Sequence, residues 1–149
     1  MEQKGSMLLK VISIIMIIGG ILSAVASLAL VLFAGATSAF ISDPQGQSAL
    51  AGSGVSGAAV NGVVWAAAII AVIGAVIEII AGVKGKKNWN NPDQAKTLMI
   101  WGIITAVISL ISNILFATGG TGVQIVSILA GLVIPVLYII GTVQLKKQA

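Results

Sequence analysis

Four uninterrupted apolar runs constrain this chain more than any other feature. They extend from Leu8 to Ala36, Gly62 to Val83, Thr97 to Ala117 and Val123 to Leu145. Each exceeds the ~18 residues that mark a membrane-spanning helix, since about 20 residues at 1.5 Å each cross a hydrocarbon core roughly 30 Å thick. Inside lipid a backbone must satisfy its own hydrogen bonds, which leaves only helices and closed barrels. A barrel would alternate apolar and polar residues in segments of about ten. These runs are instead continuous in Leu, Ile, Val and Ala, so the expected fold is all-α, a four-helix transmembrane bundle.

Composition supports the same reading. Of 149 residues, 58% are hydrophobic and 8% charged, against about 25% charged in an ordinary soluble domain. So few charges cannot cover a water-facing surface, and lipid must take water's place over most of it. A single four-span membrane domain over residues 1–149 is expected. The absence of cysteine and histidine excludes a disulfide framework, thiolate metal sites and the commonest acid/base side chain. Paired carboxylates, a Ser-His arrangement, HExxH and Walker A motifs are all missing, and the Gly52 to Gly57 stretch has no basic residue near it. The expectation is therefore a non-enzymatic protein without cofactor or metal, whose partners are the lipid bilayer and membrane proteins rather than nucleic acid.

All eight basic residues are lysines. Lys4 precedes the first span and Lys10 stands at its very start, Lys84, Lys86, Lys87 and Lys96 lie between the second and third, and Lys146 and Lys147 follow the fourth. All fall on one side of a four-span chain, while residues 37–61 and 118–122 opposite contain no base and one acid, Asp43. Under the positive-inside rule this predicts a multi-pass protein with both termini and the 84–96 loop in the cytoplasm, with a bias too strong for dual topology. Lys4 and Lys10 before an apolar stretch and Ala24-Val25-Ala26 imitate a cleavable signal peptide. The apolar character continues past Phe33, however, longer than such a segment requires.

The halves of the chain resemble each other. Glu78-Ile79-Ile80-Ala81-Gly82-Val83 with Lys86-Lys87 aligns without a gap on Tyr138-Ile139-Ile140-Gly141-Thr142-Val143 with Lys146-Lys147. Gly20-Ile21-Leu22-Ser23-Ala24-Val25 likewise aligns on Gly102-Ile103-Ile104-Thr105-Ala106-Val107. The expected bundle is thus two similar helical hairpins with the same orientation.

Small and hydroxyl residues recur at helical spacing on each span: Gly19, Ser23 and Ser27; Ala67, Ala71, Ala75 and Gly82; Thr105 and Ser109; Ser127 and Gly131. Such faces let backbones approach in a solvent that supplies no hydrophobic drive for helix association, so they are expected to point into the bundle. The 37–61 segment reads as a Gly/Ser/Ala-rich loop with a turn at Asp43-Pro44, and Thr118 to Gly122 as a tight turn. Asn91-Pro92-Asp93 reads as a helix start with a cap, a first-position proline and an acid at the dipole. Trp65, Trp89 and Trp101 sit near expected interfaces.

Glu78 is the one ionisable residue within a span. A charge at mid-bilayer costs about 2.5–3.5 kcal/mol on insertion scales, which makes an intramembrane acid a functional candidate. It could pair with Lys10, Lys146 or Lys147, or bond to Tyr138 or a hydroxyl. With Tyr138 and Asn113 it forms the candidate polar site. Pro135, inside the fourth span, frees a carbonyl and can bend the helix.

The opening Leu8-Leu9-Lys10-Val11-Ile12-Ser13-Ile14-Ile15 before Gly19-Gly20, the Gly82 to Pro92 loop, and Ile134-Pro135-Val136-Leu137-Tyr138 before Lys146-Lys147 carry a resemblance. The chain resembles small four-span membrane proteins of unknown function from low-GC Gram-positive bacteria. That resemblance implies a bacterial tetraspan and no activity or site residue. Three functions compete: a structural or interaction protein assembling with itself or a partner through its small-residue faces, a small transporter or channel subunit using Glu78 as a proton- or cation-coupling acid, and a holin-like permeabiliser.

Overall fold

A computed structural model describes residues 4–116 and 125–148; among these the side chains of residues 4–6, 116, 126 and 127 are not described. The turn expected at 118–122 and the side chain of Ser127 lie outside the described residues. The described residues form five α-helices: α1 (Lys4–Ser42), α2 (Pro44–Ser53), α3 (Gly57–Lys87), α4 (Ala95–Phe116) and α5 (Ile125–Lys146). Four of them, α1, α3, α4 and α5, are long and apolar enough to cross a membrane. The chain is a multi-pass membrane protein, and its outward faces fit that setting. Leu22, Leu28, Leu32, Val76, Val107 and Leu129 are all at least half exposed, as lipid-facing side chains are.

The four spans form a ring. α1 packs against α3 and α5, and α4 packs against the same two, while the diagonal pairs scarcely touch. This is the order that two hairpins side by side would give. The hairpins are unequal in length, however, with 39 and 31 residues in the first against 22 and 22 in the second.

That inequality corrects one expectation. The 37–61 segment, read as a loop, is helical except at Asp43 and residues 54–56. α1 runs on to Ser42. The Asp43 side chain then caps α2 by accepting from Gln45 N at 2.9 Å, with Pro44 in the first turn. Gly54, at φ 69°, ends α2 in the left-handed conformation that glycine adopts without cost. Ser56 caps α3, its hydroxyl accepting from Ala59 N. Gly46 lies on the Phe40 carbonyl, where any side chain would collide. Helix-start chemistry at Asp43-Pro44 was thus present in the sequence, and the small-residue composition obscured it.

The start of the second hairpin follows its expected chemistry. Asn91 accepts from Asp93 N at 3.2 Å, and Pro92 opens a 3-10 turn, Pro92–Gln94, that leads directly into α4. α5 passes through Pro135 as one continuous helix.

Packing is densest toward the end that carries the lysines, hereafter the lysine end. A core of Leu9, Ile12, Met16, Ala81, Ala95, Leu98, Tyr138 and Leu145 is buried there. Glycines set the helix separation. A methyl group at Gly82 would lie 2.8 Å from the Ser13 carbonyl oxygen and 3.0 Å from Ile17 N, so α1 and α3 meet backbone to backbone. At Gly85 it would overlap the Ser13 hydroxyl and crowd the Tyr138 ring, and at Gly141 it would press on the Leu9 backbone. The aromatic residues near this end hold lysines. Lys10 Nζ sits 4.6 Å from the Trp89 ring centre and Lys84 Nζ 5.3 Å from that of Trp101, within cation–π range.

Candidate functional site

Small and polar side chains of the four spans converge without closing up on one another. They line a partly open cavity of about 340 Å³. α1 contributes Ser23 and Ser27, α3 contributes Ala71, Ala75 and Glu78, α4 contributes Thr105, Ser109, Ser112 and Asn113, and α5 contributes Gly131. From Thr105 to Asn113 the lining runs eight residues along α4, or roughly 12 Å of helix. Its volume falls in the ~300–1,000 Å³ range of small-molecule sites.

Glu78 marks the lysine-end limit of this cavity, six residues short of Lys84, or about 9 Å of helix. Its carboxyl lies against α1, beside Ser23 and Gly19. A methyl group at Gly19 would stand 3.1 Å from Oε1, so this glycine leaves the carboxyl room. Of the partners open to Glu78 from the sequence, a hydroxyl, that of Ser23, is the one beside it. Tyr138 is not a partner: its Oη donates across the ring diagonal to the Ala81 carbonyl oxygen at 2.9 Å. Tyr138 projects toward the lysine end and, with no exposed surface, fills the core beneath the cavity.

Some of the polar groups are committed to their own helices. Ser27 Oγ donates to the Ala24 carbonyl oxygen at 2.8 Å, Thr105 Oγ1 to that of Trp101 at 2.9 Å, and Asn113 Nδ2 to that of Ser109 at 2.7 Å. A hydroxyl has one proton and two acceptor sites, and an amide has two N–H donors and a carbonyl oxygen. The lone pairs of Ser27 and Thr105 therefore face the cavity as acceptors, while Ser109, Ser112 and Asn113 can donate or accept. With the Glu78 carboxyl as the one charged group, the lining suits a polar or cationic solute.

The remaining predicted residues are placed as follows. Gly82 belongs to the α1–α3 contact below the cavity, and Ala67 is half-buried on α3 beyond it. Gly131 carries the Asn113 amide, whose Nδ2 would stand 3.0 Å from a methyl group there. Trp65 is more than an interface anchor, because its Nε1 donates to Ser38 at 2.9 Å and Ser38 donates to Asn61 Oδ1 at 2.6 Å, joining α1 to α3. Sequence reasoning missed Ser13, Gly20 and Gly85. Gly20 has its own signal in the Gly19-Gly20 pair, and Gly85 in the Gly82-x-x-Gly85 spacing. No known protein family, curated protein or solved structure matches this chain.

Proposed function

We propose that this protein is a small, non-enzymatic transporter or channel subunit, with the cavity around Glu78 as its solute site and Glu78 as the charge-bearing group. The observation that carries this reading is the polar-lined cavity within the membrane-spanning part of the bundle, with the single intramembrane acid at one limit. Hydroxyls and a carboxyl within a membrane are stabilised by polar partners, and a solute in the cavity can supply them. Self-assembly through the small-residue faces has less support, since Ser23, Ser27, Ala71, Ala75, Thr105, Ser109 and Gly131 are turned inward among helices of the same chain. Holin-like permeabilisation gains no residue in its favour.

The lysine end faces the cytoplasm in this reading, as the positive-inside rule requires, and the setting is the bacterial cytoplasmic membrane that the resemblance to Gram-positive tetraspans implies. An impermeant maleimide then labels Ser48→Cys and not Lys87→Cys from outside intact cells. The functional test is charge movement in proteoliposomes on a solid support after concentration jumps of protons, sodium and ammonium. At least one cation should evoke a current that Glu78→Gln abolishes; currents equal in both proteins, or absent from both, contradict the reading.

A further inference from the structure

α5 carries a proline where it borders the cavity. Pro135 has no backbone N–H, so the carbonyl of Gly131, one turn earlier, lacks the donor that an uninterrupted helix would give it. Both residues lie on the face of α5 turned into the bundle: Pro135 is buried, and Gly131 lines the cavity. Without a side chain of its own, Gly131 leaves its backbone open on that face. Asn113 is the neighbour that a methyl group there would meet, at 3.0 Å, and its Nδ2 donates to the Ser109 carbonyl oxygen. Among the described residues no side chain donates to the Gly131 carbonyl. A carbonyl freed by proline within a membrane is stabilised by a donor from outside its own helix, and the cavity is where such a donor can stand.

Glu78 and this carbonyl are well separated along the bundle. Gly74 packs on Ile108 of α4, and Gly131 on Asn113. Glu78 lies four residues from Gly74 toward the lysine end, and Asn113 five residues from Ile108 in the opposite direction. That is nine residues in all, or about 13 Å of helix. The carbonyls of α5 point toward its C-terminus, which is the lysine end, so the Gly131 oxygen is aimed back toward Glu78 and stands about 10 Å from its level. Ala71, Ala75 and Ile108 line the cavity between the two. One charged group, an apolar stretch and a neutral backbone acceptor thus follow one another along the lining. An inorganic ion would use the first alone.

Resting on the reading of the cavity as a solute site, we propose that the Gly131 carbonyl is its second recognition point. The ligand is then a linear organic monocation with an ammonium group at one end and a neutral hydrogen-bond donor at the other. The ammonium lies against Glu78, the methylene chain along Ala71, Ala75 and Ile108, and the distal hydroxyl or amide donates to Gly131. A second positive charge is disfavoured, because Glu78 is the one charged group among the described lining residues.

The test uses two probes that differ at the distal end: 6-amino-1-hexanol, whose hydroxyl donates, and its methyl ether, 6-methoxyhexylamine, which only accepts. Binding to the full chain in phosphatidylcholine nanodiscs is measured by equilibrium dialysis and corrected with protein-free nanodiscs. The amino alcohol should bind about fivefold more tightly than the ether, or better. Pro135→Ala returns a helix N–H to the Gly131 carbonyl and should bring the two probes within about twofold of each other, through weaker binding of the alcohol. Glu78→Gln should weaken both by about tenfold or more. Equal binding of the two probes to the unaltered protein means that water or nothing meets the carbonyl, and overturns the second recognition point while leaving the Glu78 site standing. So does an advantage of the alcohol that survives in Pro135→Ala; Pro135→Gly, which returns the same N–H, serves if the alanine variant does not fold. Failure of the alcohol to bind above the lipid background overturns the ligand class, and binding indifferent to Glu78→Gln overturns the functional reading with it.

Discussion

At the lysine end, Gly82 and Gly85 bring α3 onto the backbone and hydroxyl of Ser13, and Tyr138 fills the ring to its far diagonal, where it bonds to Ala81. About two to four turns farther along the same helices, Ala71 and Ala75 face Ser23 and Ser27 with about 340 Å³ left between the spans. The two regions use the same kinds of residue. Small side chains permit a close helix approach but do not enforce it, and what differs is whether a large side chain crosses the centre. Tyr138 crosses at the lysine end. Glu78, which aligns with Tyr138 in the sequence, instead turns toward Gly19 and Ser23 at the cavity's edge, and among the described residues no aromatic side chain lines the space beyond. The aligned positions thus divide the bundle into a packed half and a hollow one.

Substitutions that add volume should separate the two halves most sharply. Gly85→Leu drives four carbon atoms into Ser13 and the Tyr138 ring, and should cost about 3 kcal/mol or more, read as a lower midpoint of unfolding in dodecyl sulfate titrations. Ala71→Leu adds comparable volume where there is space, and should stay within about 0.5 kcal/mol of the unaltered protein. Equal losses from both would mean that the cavity is not a property of the folded bundle. Removing a hydrogen bond gives a smaller effect. Tyr138→Phe keeps the ring and loses the bond to Ala81, for roughly 0.6 kcal/mol, the average for interhelical bonds in a membrane. Ser38→Ala disconnects Trp65 and Asn61 in the extension of the first hairpin, away from both halves. It should change stability by about 0.5 kcal/mol or less and leave Glu78-dependent currents intact.

Much of this architecture was legible in the chain. Apolar runs longer than a bilayer is thick have one helical solution, so the four spans and their all-α class followed from length and hydropathy alone. The inward direction of Ser23, Ser27, Thr105, Ser109 and Gly131 followed from their helical spacing. What spacing cannot give is the distance between facing helices, and the cavity is a consequence of that distance. Of the partners open to Glu78, Tyr138 drops out for a related reason. Alignment of two helices says that the residues occupy matching levels, while side-chain direction decides whether they meet. Tyr138 finds its acceptor in the Ala81 carbonyl rather than in the carboxyl. The helical 37–53 segment was hidden by composition, because Gly, Ser and Ala serve equally in loops and in helices whose neighbours demand little volume. Asp43, Pro44 and Gly54 carried the start and stop signals even so.

The natural absence of cysteine opens the most direct test of a polar space inside the spans. N-ethylmaleimide crosses membranes freely but reacts only with the thiolate, which a thiol buried in hydrocarbon does not form. Ser109→Cys, lining the cavity, should react within about tenfold of the exposed Ser48→Cys, and Val107→Cys, half exposed to lipid on the same helix, about a hundredfold more slowly than either. A Ser109→Cys protein as inert as Val107→Cys would show the bundle interior to be dry and closed, and would contradict a solute site at Glu78.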